Sequence, residues 1–176
     1  DRFDANRPSS PVCFALSLDG ENMQPHADSH DPKSDTTCDE CELFKWNSDP
    51  NGGKGKACKE KRRFAVLPAA AVNDGIEKAE MATMSIPVTS VKHWRNYVNN
   101  VAASVARPPW GVITKITVTP NSKTQFEVKF DCVGLVSEDI LGDVFKRIVR
   151  AQDVLLTPYE YQESAEPPAP KAGKKY

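Results

Sequence analysis

The clearest hydrophobic patterning lies in the second half of the chain. Residues 111–119 and 125–133 alternate apolar and polar side chains, rich in β-branched and aromatic types. Pro120-Asn121-Ser122-Lys123 separates them, which predicts an antiparallel pair. Arg63–Leu67 and Ala82–Ile86 predict two more strands, with the hairpin-type signal Asn73-Asp74-Gly75 in the connection. Between these pairs, Val91, Trp94, Tyr97, Val98, Val101 and Val105 recur at helical spacing. They predict a helix capped by Thr89 or Ser90 that runs to about Ala106, where Arg107-Pro108-Pro109 ends it. A second helix is expected from Ser137, with Ile140, Leu141, Val144, Phe145, Ile148 and Val149 as its apolar face, finishing near Leu156-Thr157-Pro158.

The first 37 residues lack such periodicity and are rich in Asp, Pro, Ser and His, so irregular backbone is expected. Cys13–Leu18 reads as one short strand or extended segment halted by Asp19-Gly20. Residues 38–58 contain Asn51-Gly52-Gly53 and Gly55, turn chemistry that calls for positive φ. Residues 161–176, rich in Pro, Ala and Lys, read as a disordered tail that buries too little apolar area to offset its ordering entropy. The 176 residues therefore suit one domain over residues 1–160, with a knuckle at 13–58 inside it.

No run of eighteen apolar residues and no secretory signal occurs, so the expectation is a soluble cytoplasmic protein without a membrane partner. The formal net charge of −1 hides a segregation. Residues 1–50 carry eleven acids against four basic residues, whereas Lys54, Lys56, Lys59, Lys61, Arg62 and Arg63 place six positive charges in ten positions. No Walker motif, GxSxG or GxGxxG is present, and the His-x-Glu of zinc deaminases is missing, which argues against an enzyme.

Five cysteines without a secretory signal, two of them in a Cys38-x-x-Cys41 pair, favour metal over disulfides. A two-residue spacer lets both thiolates reach one tetrahedral ion from a single turn, and Cys58 supplies a third ligand at a spacing familiar in zinc ribbons. The fourth ligand is contested among Cys13, His26 and His30. Cys13 is favoured because an all-cysteine set leaves no nearby thiol unexplained. The expected cofactor is one structural Zn2+ held by Cys13, Cys38, Cys41 and Cys58. Cys132, inside a predicted strand, is expected in the core.

Phe44, Lys45 and Trp46 follow the cysteine pair, and the basic run brackets Cys58. A rigid knuckle would hold rings beside phosphate-binding charges, a combination that suits single-stranded nucleic acid. The candidate contacts are Phe44, Lys45, Trp46, Lys54, Lys56, Lys59, Lys61, Arg62, Arg63 and Trp110. In the competing reading Phe44 and Trp46 shield the thiolates, the basic run is a solvated face and Trp110 plugs the core.

Cys38–Phe44, Ser48–Lys59 and Arg62-Arg63 together resemble a family of small tailed-phage and prophage proteins. Pro11-Val12-Cys13 with Asp19-Gly20, Ile86–Lys92 and Val112–Ile116 also resemble it, so the likeness spans about residues 11–135. The resemblance implies a zinc-containing single-stranded-DNA-binding protein of phage replication or recombination, working in a bacterial host cell, with replication or recombination proteins as partners. It also implies an oligonucleotide-binding barrel, giving an α+β or mainly β fold: a partly open five-stranded barrel with two helices and an inserted zinc knuckle. A homo-oligomer or cooperative array on DNA fits this reading. Its rivals are a zinc-stabilised module that recruits a replication or host factor, and a nuclease or transferase subunit using magnesium.

Overall fold

The computed structural model describes residues 10–50 and 52–160, so the expected disorder of residues 161–176 lies outside the described residues, as does Asn51. The protein is α+β. In chain order its elements are β1 (Lys61–Val66), α1 (Ala71–Asp74), β2 (Ala82–Pro87), α2 (Val88–Val105), β3 (Val112–Asn121), β4 (Gln125–Leu135) and α3 (Glu138–Leu156), with 3-10 turns at Cys38–Glu40, Glu42–Phe44 and Pro109–Gly111. No helix among the described residues is long and apolar enough to cross a membrane.

The chain divides into two compact units. One comprises Asp1–Ala57 with Pro158–Tyr176, the other Cys58–Thr157.

The second unit holds all the strands found among the described residues. β1 and β2 pair antiparallel with Arg63 opposite Ser85 and Phe64 opposite Met84, and β3 and β4 pair antiparallel with Ile116 opposite Phe130. The β3–β4 turn forms because the Asn121 side-chain oxygen accepts the amides of Lys123 (2.9 Å) and Thr124 (3.1 Å). Apolar positions from both sheets meet on α2. Ile86, Tyr97, Val101, Val112, Val128 and Phe130 form the core, and Phe64, Met84, Val91, Trp94, Val98 and Val105 pack against it. Trp94 sits at the centre of the aromatic part, its ring 4.6 Å from Phe64 and 5.1 Å from Phe130. Full burial of a side chain such as Ile86 contributes about 1.5–3 kcal/mol.

The expected five-stranded barrel is not what these residues form. Among the described residues four strands make two separate two-stranded sheets and no closed barrel. One physical reason is visible at β4. Ser90, fully buried in the first turn of α2, accepts the Val128 amide at 3.0 Å, so a helix rather than another strand satisfies that donor. The expected role of Ser90 as a helix cap is thus replaced. α2 begins at Val88 behind Pro87, and it ends where Ala106 adopts a left-handed conformation (φ 53°) before Pro108 and Pro109.

Cys132 is exposed, not in the core as its strand position suggested. It pairs with Thr114 at the edge of a β-bulge between Ile113 and Thr114, where the regular in-out alternation that carries Val128 and Phe130 inward breaks down.

Candidate nucleic-acid interface and metal ligands

The first unit has no strand among its described residues and is tied together by single backbone bonds. The His26 amide donates to Phe14 (2.7 Å), Asp31 to Val12 (2.9 Å) and Cys38 to Met23 (2.7 Å). The segment around Cys13 is thereby fastened to residues 26–31, and the start of the cysteine pair is fastened to residue 23. Phe14 is the anchor: it is buried, its backbone is bracketed by the buried Ser29 hydroxyl, and its ring stacks on His26 at 5.0 Å.

Cys38 and Cys41 lie in one tight turn, where the Cys41 amide donates to the Cys38 carbonyl at 3.2 Å. A second closure works through Ser48. Its hydroxyl lies 2.9 Å from the Leu43 carbonyl and 2.7 Å from that of Lys45, and it accepts the Ala57 amide at 2.9 Å. Asn47 and Asp49 donate their amides to Lys54 and Gly55 across the same loop, and Gly52 turns it with φ 79°. Residue 57 is thus returned to the turn that follows Cys41.

Cys13, Cys38 and Cys41 are half-buried and Cys58 is exposed. Among the described residues, no group of three or more His, Cys, Asp and Glu side chains gathers as a metal cluster. The donor chemistry still suits zinc: soft thiolates, two of them in one turn. Of the histidines weighed as fourth ligand, His26 has its Nδ1 engaged by the Asp28 amide at 3.1 Å, which leaves a single ring nitrogen for any metal.

The aromatic candidates separate. Trp46 is 72% exposed, whereas Phe44 is half-buried with the Lys56 ammonium 3.4 Å from its ring centroid. The same ammonium lies 5.6 Å from the Trp46 centroid, so a cation already bridges the two rings. Lys45 pairs with Glu42 at 2.5 Å, which offsets its charge, while Lys54 is exposed.

In the second unit Lys59, just before β1, and Lys61 and Arg62, at its start, are exposed. Arg63 is not equivalent to them. Its Nη1 donates to the Leu155 carbonyl (3.0 Å) and the Thr157 carbonyl (2.9 Å), closing the C-terminus of α3. Trp110 is partly exposed and rests on Phe145 with ring centroids 5.8 Å apart, so it is neither a core plug nor a free ring.

Sequence reasoning missed two arginine clips. Arg107 donates to the Val136 carbonyl (2.9 Å) and pairs with Glu138. Arg147 donates to the carbonyls of Ile76, Glu77 and Ala79, gathering the loop before β2. Nothing in the local pattern marks them, because their acceptors are carbonyls that any residue supplies. Compared with protein-family models, curated proteins and solved structures, the chain matches none.

Proposed function

We propose that the protein binds single-stranded DNA through Trp46 and the lysines around it, on a knuckle held by one structural zinc ion. The observation that carries this reading is Trp46: a large aromatic residue left 72% exposed, with the Lys56 ammonium beside its ring and Lys54 close in sequence. Ring faces accept any base by stacking, at about 1–3 kcal/mol each, while lysines follow phosphates without reading sequence. Phe44, covered by Lys56, shields and stiffens the loop rather than stacking. Lys59, Lys61 and Arg62 add phosphate contacts, and Arg63 does so least because its guanidinium is committed to α3.

The ligand set for zinc is Cys13, Cys38, Cys41 and Cys58. Support for a metal comes from the first unit itself: among its described residues only Phe14 and Ser29 are buried, too little core to hold the segment without another tether. The protein acts by binding, with no catalytic step. Its setting is phage replication or recombination, and the DNA-coating role does not depend on the barrel that the resemblance implied.

The test is a titration of labelled single- and double-stranded oligonucleotides across a salt series. Tight binding to the single strand is expected, with affinity falling linearly in log salt. Trp46→Ala, at unchanged zinc content, should weaken binding by roughly five- to 150-fold, as the loss of one stacked base implies. Equal indifference to both oligonucleotides would instead favour the protein-recruiting module.

A further inference from the structure

α3 carries a wider apolar stripe than the fold uses. Ile140, Leu141, Val144 and Ile148 are half-buried on the inner side, which faces β1 and the Pro109–Gly111 turn. Phe145 and Val149, expected on the same face, are 60% and 71% exposed. They belong to a second row. Gly142, Phe145, Val149, Gln152 and Leu156 follow one another at intervals of three, four, three and four residues, and every one is exposed. That is the spacing of a coiled-coil seam, which needs a facing helix. A side chain added at Gly142 would meet nothing within 4 Å, so the row is open at that end.

We propose that the occupant of this seam is α3 of a second copy, packed antiparallel about a twofold axis. The charges beside the row favour a second copy over a polyanion or a one-signed peptide, because they are balanced and self-complementary. In an antiparallel pairing centred between Arg150 and Ala151, Phe145 faces Leu156 of the second copy and Val149 faces Gln152 of the second copy. Lys146 then lies beside Asp153 of the second copy, and the twofold repeats that pair on the other side. The Gln152 layers give the only polar core positions, which fixes the axial alignment. Trp110, resting on Phe145, extends the apolar ground at each end of the seam. The inference does not depend on DNA binding and is tested without DNA.

Sedimentation of the full chain over a concentration series, free of nucleic acid, should show a monomer–dimer equilibrium. Val149→Glu should leave only monomer with an unchanged circular dichroism spectrum, since the side chain is already exposed. Lys146→Glu and Asp153→Lys should each weaken the dimer by roughly fivefold or more, and the two together should restore it. A wild-type chain that stays monomeric at its highest soluble concentration would overturn the proposal. So would a dimer that survives Val149→Glu, or a double charge variant no tighter than either single one. If Val149→Glu fails to fold, the three charge variants, all at exposed or half-exposed positions, decide the matter alone.

Discussion

Three arginines of this chain are committed to backbone carbonyls. Arg63, Arg107 and Arg147 each donate to main-chain oxygens far away in sequence, so each works as a clip between segments rather than as a surface charge. The contrast between neighbours Arg62 and Arg63 is the sharpest case: one is exposed, the other is half-buried and holds the last turn of α3. Arg63→Ala should therefore lower stability by about 1–3 kcal/mol, since two acceptors lose a charged donor, whereas Arg62→Ala should leave stability within about 0.5 kcal/mol. Urea denaturation of the two variants measures the difference. The roles reverse for DNA: Arg62→Ala should reduce the salt dependence of oligonucleotide binding by about one phosphate contact. Equal stability of both variants would show that the Arg63 contacts contribute nothing.

At the scale of elements, the β3–β4 hairpin and α2 are joined by a polar cluster as well as by the core. The Glu127 carboxylate lies 3.1 Å from the Lys129 ammonium and 3.2 Å from His93 Nε2 on α2, and Asn121 donates to it at 3.4 Å. The Lys129 hydrogen bond, ahead of a smaller opposing effect of burial, holds the Glu127 pKa below its ordinary value of 4.5. A depressed carboxylate pKa stabilises the folded state above the unfolded value, and that contribution is lost as pH falls through the folded one. Glu127→Gln should thus flatten the decline in melting temperature below about pH 4.5 while changing little of its shape near neutrality. Thermal melts of the variant and the wild type across that range provide the check. Within this unit the α2 face was legible in the sequence, because all six residues of its apolar stripe join the core or pack on it. The strand pairs were legible too, since alternation reports the pleat directly. The arrangement of those pairs was not. Whether two ladders join into a barrel depends on what meets their edges, and the Ser90 hydroxyl on the Val128 amide leaves no periodic trace. Cys132 was misplaced for a related reason: a bulge shifts the register without changing the pattern of residue types.

Over the whole molecule, burial is unevenly shared. Of the ten buried apolar residues described, Phe14 alone belongs to the first unit, and Ile86, Tyr97, Val101, Val112, Val128, Phe130 and the remaining three belong to the second. The second unit has a core of its own to oppose unfolding. The first is irregular chain tethered by isolated backbone bonds and the Ser48 closure, each worth about 1 kcal/mol net. A structural zinc site supplies folding energy of a different order, about 10–16 kcal/mol in small zinc-finger peptides, so the zinc ion proposed for the cysteines would outweigh those bonds. Metal analysis should return one zinc per chain. Stripping it with a chelator should open residues 14–57 to protease while residues 58–157 stay resistant and keep their melting transition. Cys38→Ser and Cys41→Ser should reproduce the stripped pattern without chelator, and both treatments should abolish the oligonucleotide binding assigned to Trp46, because an unfolded loop no longer presents its ring. Chelation that leaves the cleavage pattern unchanged would mean that the Ser48 closure and the Phe14 anchor suffice, and that the thiolates do something other than hold a metal.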